Sequence, residues 1–530
     1  MTRDFQSPGR SAVYATGGLV ATSHPLSSGV ALDILRRGGN AVDAAVAAAA
    51  VLPLAEPQMT SMGGDCFAIV AEPDGTLHGL NGSGRAPAAL TPEKVAEAGP
   101  EALAGSHGCS VTVPGAVDAW ARLMERFGTI GLDGALGPAI DLAERGVPVA
   151  PRVAVDWAGE AGRLGRDAGG RRHYLKSDGS APTVGDVMRY PALAATLRKV
   201  AGEGPAGFYT GAVAEDLVAA IGRHGGCMAL DDLATVEGTW VDPVLSPYRS
   251  VSVGELPPNG QGIVALMMLS ILSRFGLSGL DPVGPERLHL EIEAARLAYA
   301  CRDRFVCDPA NAEFPASMLL DSAYVDALAA RIRPDRCMED PGPVDPRDTT
   351  DTVYLCVVDG AGMAVSFINS LFYSFGAAIV GDKSGVALQN RATGFVTTPG
   401  HPNEVGPRKR PMHTLIPGLL MRDGLPLAVF GVMGGQYQAC GHAHVTGNLI
   451  DFGMDPQAAI DTPRVFFEGP LTMLETGVPD ATAEKLAGLG HRIGRRKMPL
   501  GGGQMVLIDR ARGVLIGGSD PRKDGCAIGY

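Results

Sequence analysis

DTTDTVYLCVVDGAGMAVSFINSLFYSFG, residues 348–376, is the stretch whose reading decides the fold. Ahead of it lies a polar, proline-rich segment, with Pro341, Pro343 and Pro346 followed by Asp348-Thr349-Thr350-Asp351. An unbroken apolar run over residues 353–358 begins directly afterwards, which predicts an exposed loop entering a buried strand. Asp359-Gly360-Ala361-Gly362 supplies a tight reversal, and residues 363–367 return as a second strand. Thr352 thereby stands at the mouth of a hairpin, between a cleavable loop and a packed sheet.

A threonine in that place is either a strand former, as threonines commonly are, or a latent nucleophile. If the chain is cut before it, the freed α-amine, with an ordinary pKa of about 7.7–8.0, lies beside its own hydroxyl and can take the hydroxyl proton near neutral pH. No separate histidine base is then required. Thr349 and Thr350 compete as cleavage points, but both fall in the polar loop rather than at the strand's edge.

The 530 residues are enough for several domains or one large layered one. With 72 glycines, 19% charged and 5% aromatic residues, the composition suits a tightly turned enzyme better than a disordered or fibrous chain. The formal net charge of −12 argues against nucleic acid as the main partner, because phosphate binding needs a concentrated basic surface. The local run Arg408-Lys409-Arg410 reads as a solvated face or an anion site. The opening MTRDFQSPGRSAVYATGG holds no apolar core of signal-peptide length, and the apolar runs 44–54 and 263–272 are too short to span a bilayer. A cytoplasmic protein without a membrane partner is expected. Nine scattered cysteines with no C-x-x-C pair read as reduced thiols. His442 and His444 are two apart on a predicted helix and do not share a face, and no Cys or carboxylate pattern completes a ligand set. They are expected to be ordinary surface or interface histidines, and neither a metal nor another cofactor is expected.

Residues 15–57 read as strand, helix, helix. Val30 and Ile34 mark a helical face, Gly38-Gly39 ends it, and Asn40 caps an Ala-rich helix. Met62-Gly63-Gly64-Asp65 is a turn into a strand over 66–70, and Pro114-Gly115 opens further helices. Residues 256–262 break the chain before a helix at 263–274. Pro285 starts a long helix whose Leu288, Ile292, Ala295 and Tyr299 form a core stripe. Strands are expected at 386–388, 414–421 and 427–432, and Gly434-Gly435 turns into a helix from about Gln436. Sheets covered on both sides by helices accommodate this order.

Several segments resemble, in the same order, the γ-glutamyltranspeptidase family: 21–25 (ATSHP), 38–45 (GGNAVDAA), Met62-Gly63-Gly64, Ala86-Pro87, Val113-Pro114-Gly115, 352–376, Lys409-Arg410-Pro411 and Gly434-Gly435. The resemblance spans nearly the whole chain. It implies an α+β, four-layer αββα N-terminal nucleophile hydrolase fold, made as a proenzyme that cuts itself before Thr352. Residues 1–351 and 352–530 would be the large and small fragments, held together as one composite domain. It further implies that Gly434 and Gly435 form the oxyanion hole, and that Ser370 is a second hydroxyl near the nucleophile.

Where that family holds a free glutamyl group, this chain departs. The places of its arginine, its asparagine, an acid and its neighbour, and its serine pair align with Ser83, Phe372, Gly394 and Arg391, and His413-Thr414. Every partner for an α-ammonium is missing, and an unpaired buried charge is costly. What remains favours a small anion: Arg85 and Arg391 can pair with a carboxylate, and His413 and Thr414 can hydrogen-bond it. Residues 81–87, NGSGRAP, resemble the branch that includes oxamate amidohydrolase. The leading expectation is hydrolysis of a small carboxylate-bearing amide such as oxamate. The alternatives are a γ-glutamyltransferase or glutathione hydrolase and a non-catalytic binding scaffold, and association into a homo-oligomer stays open.

Overall fold

The computed structural model describes residues 9–313, 315–339 and 351–530. The predicted hairpin is its centre. Asp351–Val358 pairs antiparallel with Ala364–Phe372, in the register Tyr354 opposite Ile368 and Val358 opposite Ala364. Neither strand alternates apolar with polar residues, because both lie inside a sheet that is covered on both faces. That seven-stranded sheet has the order Cys526–Gly529, Leu19–Thr22, Asp351–Val358, Ala364–Phe372, Asp65–Ala71, Leu77–Gly82 and Thr239–Val241. A second runs Val13–Ala15, Val514–Ser519, Gly502–Asp509, Leu425–Met433, Gly418–Arg422, Val251–Glu255 and Val244–Tyr248. Both interleave strands from either side of Thr352.

One face of the first sheet packs on the helices Pro25–Arg36 and Ala41–Ala55, and the other on the second sheet. All of Ala41–Ala55 is buried, and its small side chains let helix and sheet approach closely. The capping expected at Asn40 is present: its side chain accepts from the Val42 and Asp43 amides, and Asp43 returns a bond to the Asn40 amide at 2.9 Å. The helices Gly262–Leu272 and Gln438–Ile450 cover the second sheet's outer side, with Pro285–Phe305 packed on them, completing helix, sheet, sheet, helix. This is the αββα order of an α+β N-terminal nucleophile hydrolase.

Three readings change. Residues 386–388 form no strand, only isolated bridges from Ala387 to Val380 and from Leu388 to Gly63. The strand expected over 414–421 is Gly418–Arg422. Pro417 has no N–H to give a ladder, and the amides of Leu415 and Ile416 go to the side chains of His413 and Gln438. His442 and His444 are fully buried, not on the surface. Each pairs with a carboxylate of its own, Glu255 at 2.6 Å and Glu291 at 3.0 Å, which makes burial tolerable. The proline-rich loop and the competing Thr349 and Thr350 lie outside the described residues.

The two sheets meet where the Tyr354 ring fills the space over Gly431; a Cβ there would collide with the ring. The Tyr354 hydroxyl is tied to Ser366 Oγ at 2.7 Å, so the ring has no room to retreat. Gly431→Val is therefore expected to lower stability by about 1–3 kcal/mol or more through overpacking. A drop in the thermal unfolding midpoint checks this.

Candidate active site

Thr352 owes its position to an irregularity in the central hairpin. Asp351 pairs with Phe372 but Val353 pairs with Asn369, so Ser370 and Leu371 together oppose Thr352. Such a bulge re-aims side chains and interrupts the ladder. The fully buried Thr352 places its Oγ1 3.3 Å from Ser370 Oγ, and Gln438 Nε2 donates to the same oxygen at 3.3 Å. Ser370 Oγ accepts from the Phe372 amide at 2.8 Å. Phe372 itself sits at φ +82°, a region L side chains rarely adopt. The strain lies two residues from Ser370 and is held by surrounding structure.

Gly63-Gly64 is a place of close backbone approach. A Cβ on Gly64 would collide with the Ser370 carbonyl and one on Gly63 with the Ala387 carbonyl, so Gly64 is needed where the bulge seats and Gly63 where the segment at Ala387 passes. Across the site, Gly434 at φ +127° and Gly435 at φ +53° end the strand Leu425–Met433 and open a turn of 3-10 helix, Gly435–Tyr437, that runs into Gln438–Ile450. Amides at the start of a helix have no partner within it and lie at its positive end. The backbone there is pinned from behind: Gln261 Nε2 donates to the carbonyls of Thr414 and Gly435, each at 3.1 Å, and Arg302 Nη1 donates to Gln261 Oε1 at 3.0 Å and to Gln436 Oε1.

Arg391 is wholly buried. Its Nη1 donates to Thr414 Oγ1 at 2.9 Å and its guanidinium lies 4.3 Å from the centre of the Phe372 ring. Among the described residues, Nε and Nη2 have no hydrogen-bond partner. Burial lowers the Arg391 pKa to about 9, opposed by the charge of Asp65, so the group stays cationic at neutral pH. His413 is already fully engaged: Nδ1 accepts from the Leu415 amide at 3.2 Å, so Nε2 carries the proton and donates to Asp65 Oδ2 at 3.0 Å. Arg85 stands apart, bonded to Asp308 at 3.3 Å and to the Arg408 carbonyl at 3.1 Å. It lines a hollow of about 260 Å³ that shares no residue with the larger cleft, of about 710 Å³, onto which Phe372, Tyr373, Gly394, Met412 and Gln436 open. Of the basic run, Arg410 is buried rather than solvated and donates to the Ser83 carbonyl at 3.0 Å.

The structure thus links Thr352 and Ser370 to Arg391 and Thr414 through Phe372, whose amide donates to Ser370 and whose ring packs on Arg391, with Gly434-Gly435 leading into the helix that carries Gln438. Sequence reasoning did not find Gln438, Gln261, Arg302 or Asp65. A lone glutamine carries no spacing signal, and Asp65 was visible only as the end of a glycine turn.

Two stacked sheets between helix layers, with a hydroxyl side chain opening a central strand and a glycine pair at a facing helix start, define an N-terminal nucleophile hydrolase. The family model Gamma-glutamyltranspeptidase matches residues 27–530, and the chain belongs to that family. It is 34% identical over 529 residues to the glutathione hydrolase-like YwrD proenzyme of Bacillus subtilis (strain 168), which covers 98% of this chain and 99% of that one. It is 31% identical over 538 residues to the oxamate amidohydrolase proenzyme of Klebsiella pneumoniae subsp. pneumoniae, covering 97% and 99%. The crystal structure of cephalosporin acylase from Bacillus halodurans matches with a TM-score of 0.92 at 39% identity, over 100% of this chain and 99% of that one.

Burial, helped by the charge of Arg391, lowers the His413 pKa from its ordinary 6.5 to about 4. An unfolded chain takes up this proton as pH falls below about 6.5 while the folded one resists it, so His413 costs stability progressively between about 6.5 and about 4. His413→Gln is expected to give a shallower loss of thermal midpoint across that window than the parent protein shows.

Proposed function

We propose that the chain cuts itself between Asp351 and Thr352 and then uses Thr352 to hydrolyse a small amide whose acyl part bears a carboxylate, with oxamate as the leading candidate. The observation that carries this reading is Arg391. A buried guanidinium with Nε and Nη2 unpaired offers the two parallel N–H groups that a carboxylate accepts as a fork. Leaving those donors empty in a dry site is costly, and an anionic substrate removes the cost. The phenyl ring of Phe372, packed against that cation, has no atom to accept a hydrogen bond from an ammonium.

In the first reaction, Thr352 Oγ adds to the Asp351 carbonyl, the C–N bond breaks, and water opens the resulting ester. The products are fragments of 351 and 530 − 351 = 179 residues. They share both sheets, which favours their staying together. In turnover, the freed α-amine takes the Oγ proton as Oγ attacks the substrate carbonyl. The Gly434 and Gly435 amides are the proposed donors to the oxyanion, the substrate nitrogen leaves with a proton, and water releases the acid.

A second reading, hydrolysis of a γ-glutamyl amide such as glutathione, draws on the volume of the cleft beside Phe372, about 710 Å³, which holds a leaving group far larger than ammonia. Oxamate and γ-glutamyl anilide given side by side to the purified protein separate the two.

Thr352→Ala is expected to remain one polypeptide with no amide turnover, whereas the parent protein's smaller fragment begins Thr-Val-Tyr on N-terminal sequencing. Arg391→Lys, which cannot present the fork, is expected to raise KM for oxamate about tenfold or more, equivalent to about 1.4 kcal/mol, while self-cleavage continues. Unchanged KM would remove Arg391 from the reading.

A further inference from the structure

We propose that Gln438 is a catalytic residue whose Nε2–H holds the Thr352 oxygen as it departs from the acyl intermediate. The inference rests on Thr352 being the nucleophile.

The orientation of the Gln438 amide is fixed by its surroundings. Oε1 accepts from the Ile416 amide at 3.3 Å, which leaves Nε2, the donor end, toward Thr352 Oγ1 at 3.3 Å. The Ile416 amide is available because Pro417 keeps this segment out of the neighbouring strand, whose ladder begins at Gly418. Gln438 is fully buried, so water does not compete for either end. It is also the first residue of the helix Gln438–Ile450, three residues beyond Gly435. The proposed oxyanion amides and a donor to the nucleophile oxygen therefore ride on one rigid element, at its positive end.

Thr352 Oγ accepts from Gln438 while it donates to Ser370 Oγ at 3.3 Å. A hydrogen bond donated to an oxygen makes it a weaker base and a better leaving group, so it acts most strongly when Oγ carries negative charge. That moment is deacylation. Water adds to the ester carbonyl and passes a proton to the Thr352 α-amine. The C–Oγ bond then breaks, its electron pair goes to Oγ, and the ammonium returns the proton to Oγ, leaving the free acid and the original threonine. The ester formed during self-cleavage opens by the same departure of Oγ, so Gln438 serves maturation and turnover alike.

Gln438→Leu is expected to slow steady-state turnover of 4-nitrooxanilate about ten- to a hundredfold, somewhat less than the loss of an oxyanion-hole donor. A burst of nitroaniline, one per active site, should precede the slow phase, and the ester-linked precursor should accumulate and be trapped by hydroxylamine. Gln438→Glu keeps the shape and the Ile416 contact, and carries the test if the leucine variant fails to fold. Its rate relative to the parent protein should rise as pH is lowered from about 8 to about 5, because a protonated carboxyl regains the donor. A leucine variant with parental rates of cleavage and turnover overturns the proposal. So does a slower variant with neither burst nor trapped ester, or a flat pH ratio for Gln438→Glu. If the parent protein does not turn over 4-nitrooxanilate, the substrate reading fails while the self-cleavage arm still decides Gln438. Turnover by Thr352→Ala would sink the nucleophile instead.

Discussion

The buried carboxylate of Asp65 is the contact on which the site depends. Its Oδ1 accepts from the Gly84 and Gly115 amides at 3.0 and 3.1 Å and from Gln389 Nε2 at 2.9 Å, while Oδ2 accepts from His413. Four segments far apart in the chain thus converge on one acid. A carboxylate in a dry interior is tolerated only when its lone pairs are filled, so none of these segments can move without stranding the charge. Asp65 also supplies the negative charge that opposes the desolvation of Arg391. His413 bonds that carboxylate and stays neutral at neutral pH because burial and the Arg391 charge outweigh the pull of Asp65 toward the charged form.

That arrangement explains why a cation can wait in the core with part of its hydrogen-bonding capacity unused. Arg391 is anchored at one end by Thr414, flanked by an aromatic face and balanced at longer range by Asp65. The unused edge is the cost of a site shaped for something that arrives later. Strain follows the same logic. The bulge opposite Thr352 and the positive φ of Phe372 are both unfavourable locally; Gly64 packs against the bulge at the Ser370 carbonyl, and Gln438 of the facing helix bonds Thr352 from the other side. A strained backbone turn at Phe372 and the partly unused guanidinium of Arg391 thus meet at one ring, two residues from the Ser370 hydroxyl that Thr352 donates to.

Much of the fold was legible in the residues themselves. The shift from a polar proline-rich segment to an apolar run marked Thr352 and the hairpin, the Asn40 cap marked its helix, and Gly434-Gly435 marked a strand-to-helix turn. Each of these is a local signal, carried by residues adjacent in sequence and governed by backbone conformation or solvent exposure. Arg391 was singled out only through the resemblance, as one of the places where this chain departs from the γ-glutamyltranspeptidase pattern.

The sequence by itself determined which side chains were available for chemistry and where the chain would turn; tertiary structure alone decided which of them meet. Arg85 and Arg391 were equivalent cations on paper, yet one lies in a separate half-exposed hollow, paired with Asp308, and the other in the core beside Phe372. His413 looked free to bind a ligand and is spent on Asp65, 348 residues away. Gln438 carried no signal at all, since its role comes from an Ile416 amide released by Pro417 and a hydroxyl 86 residues distant. Hydrogen bonds of that range follow from packing, and packing depends on every layer of the fold at once rather than on any stretch of neighbours.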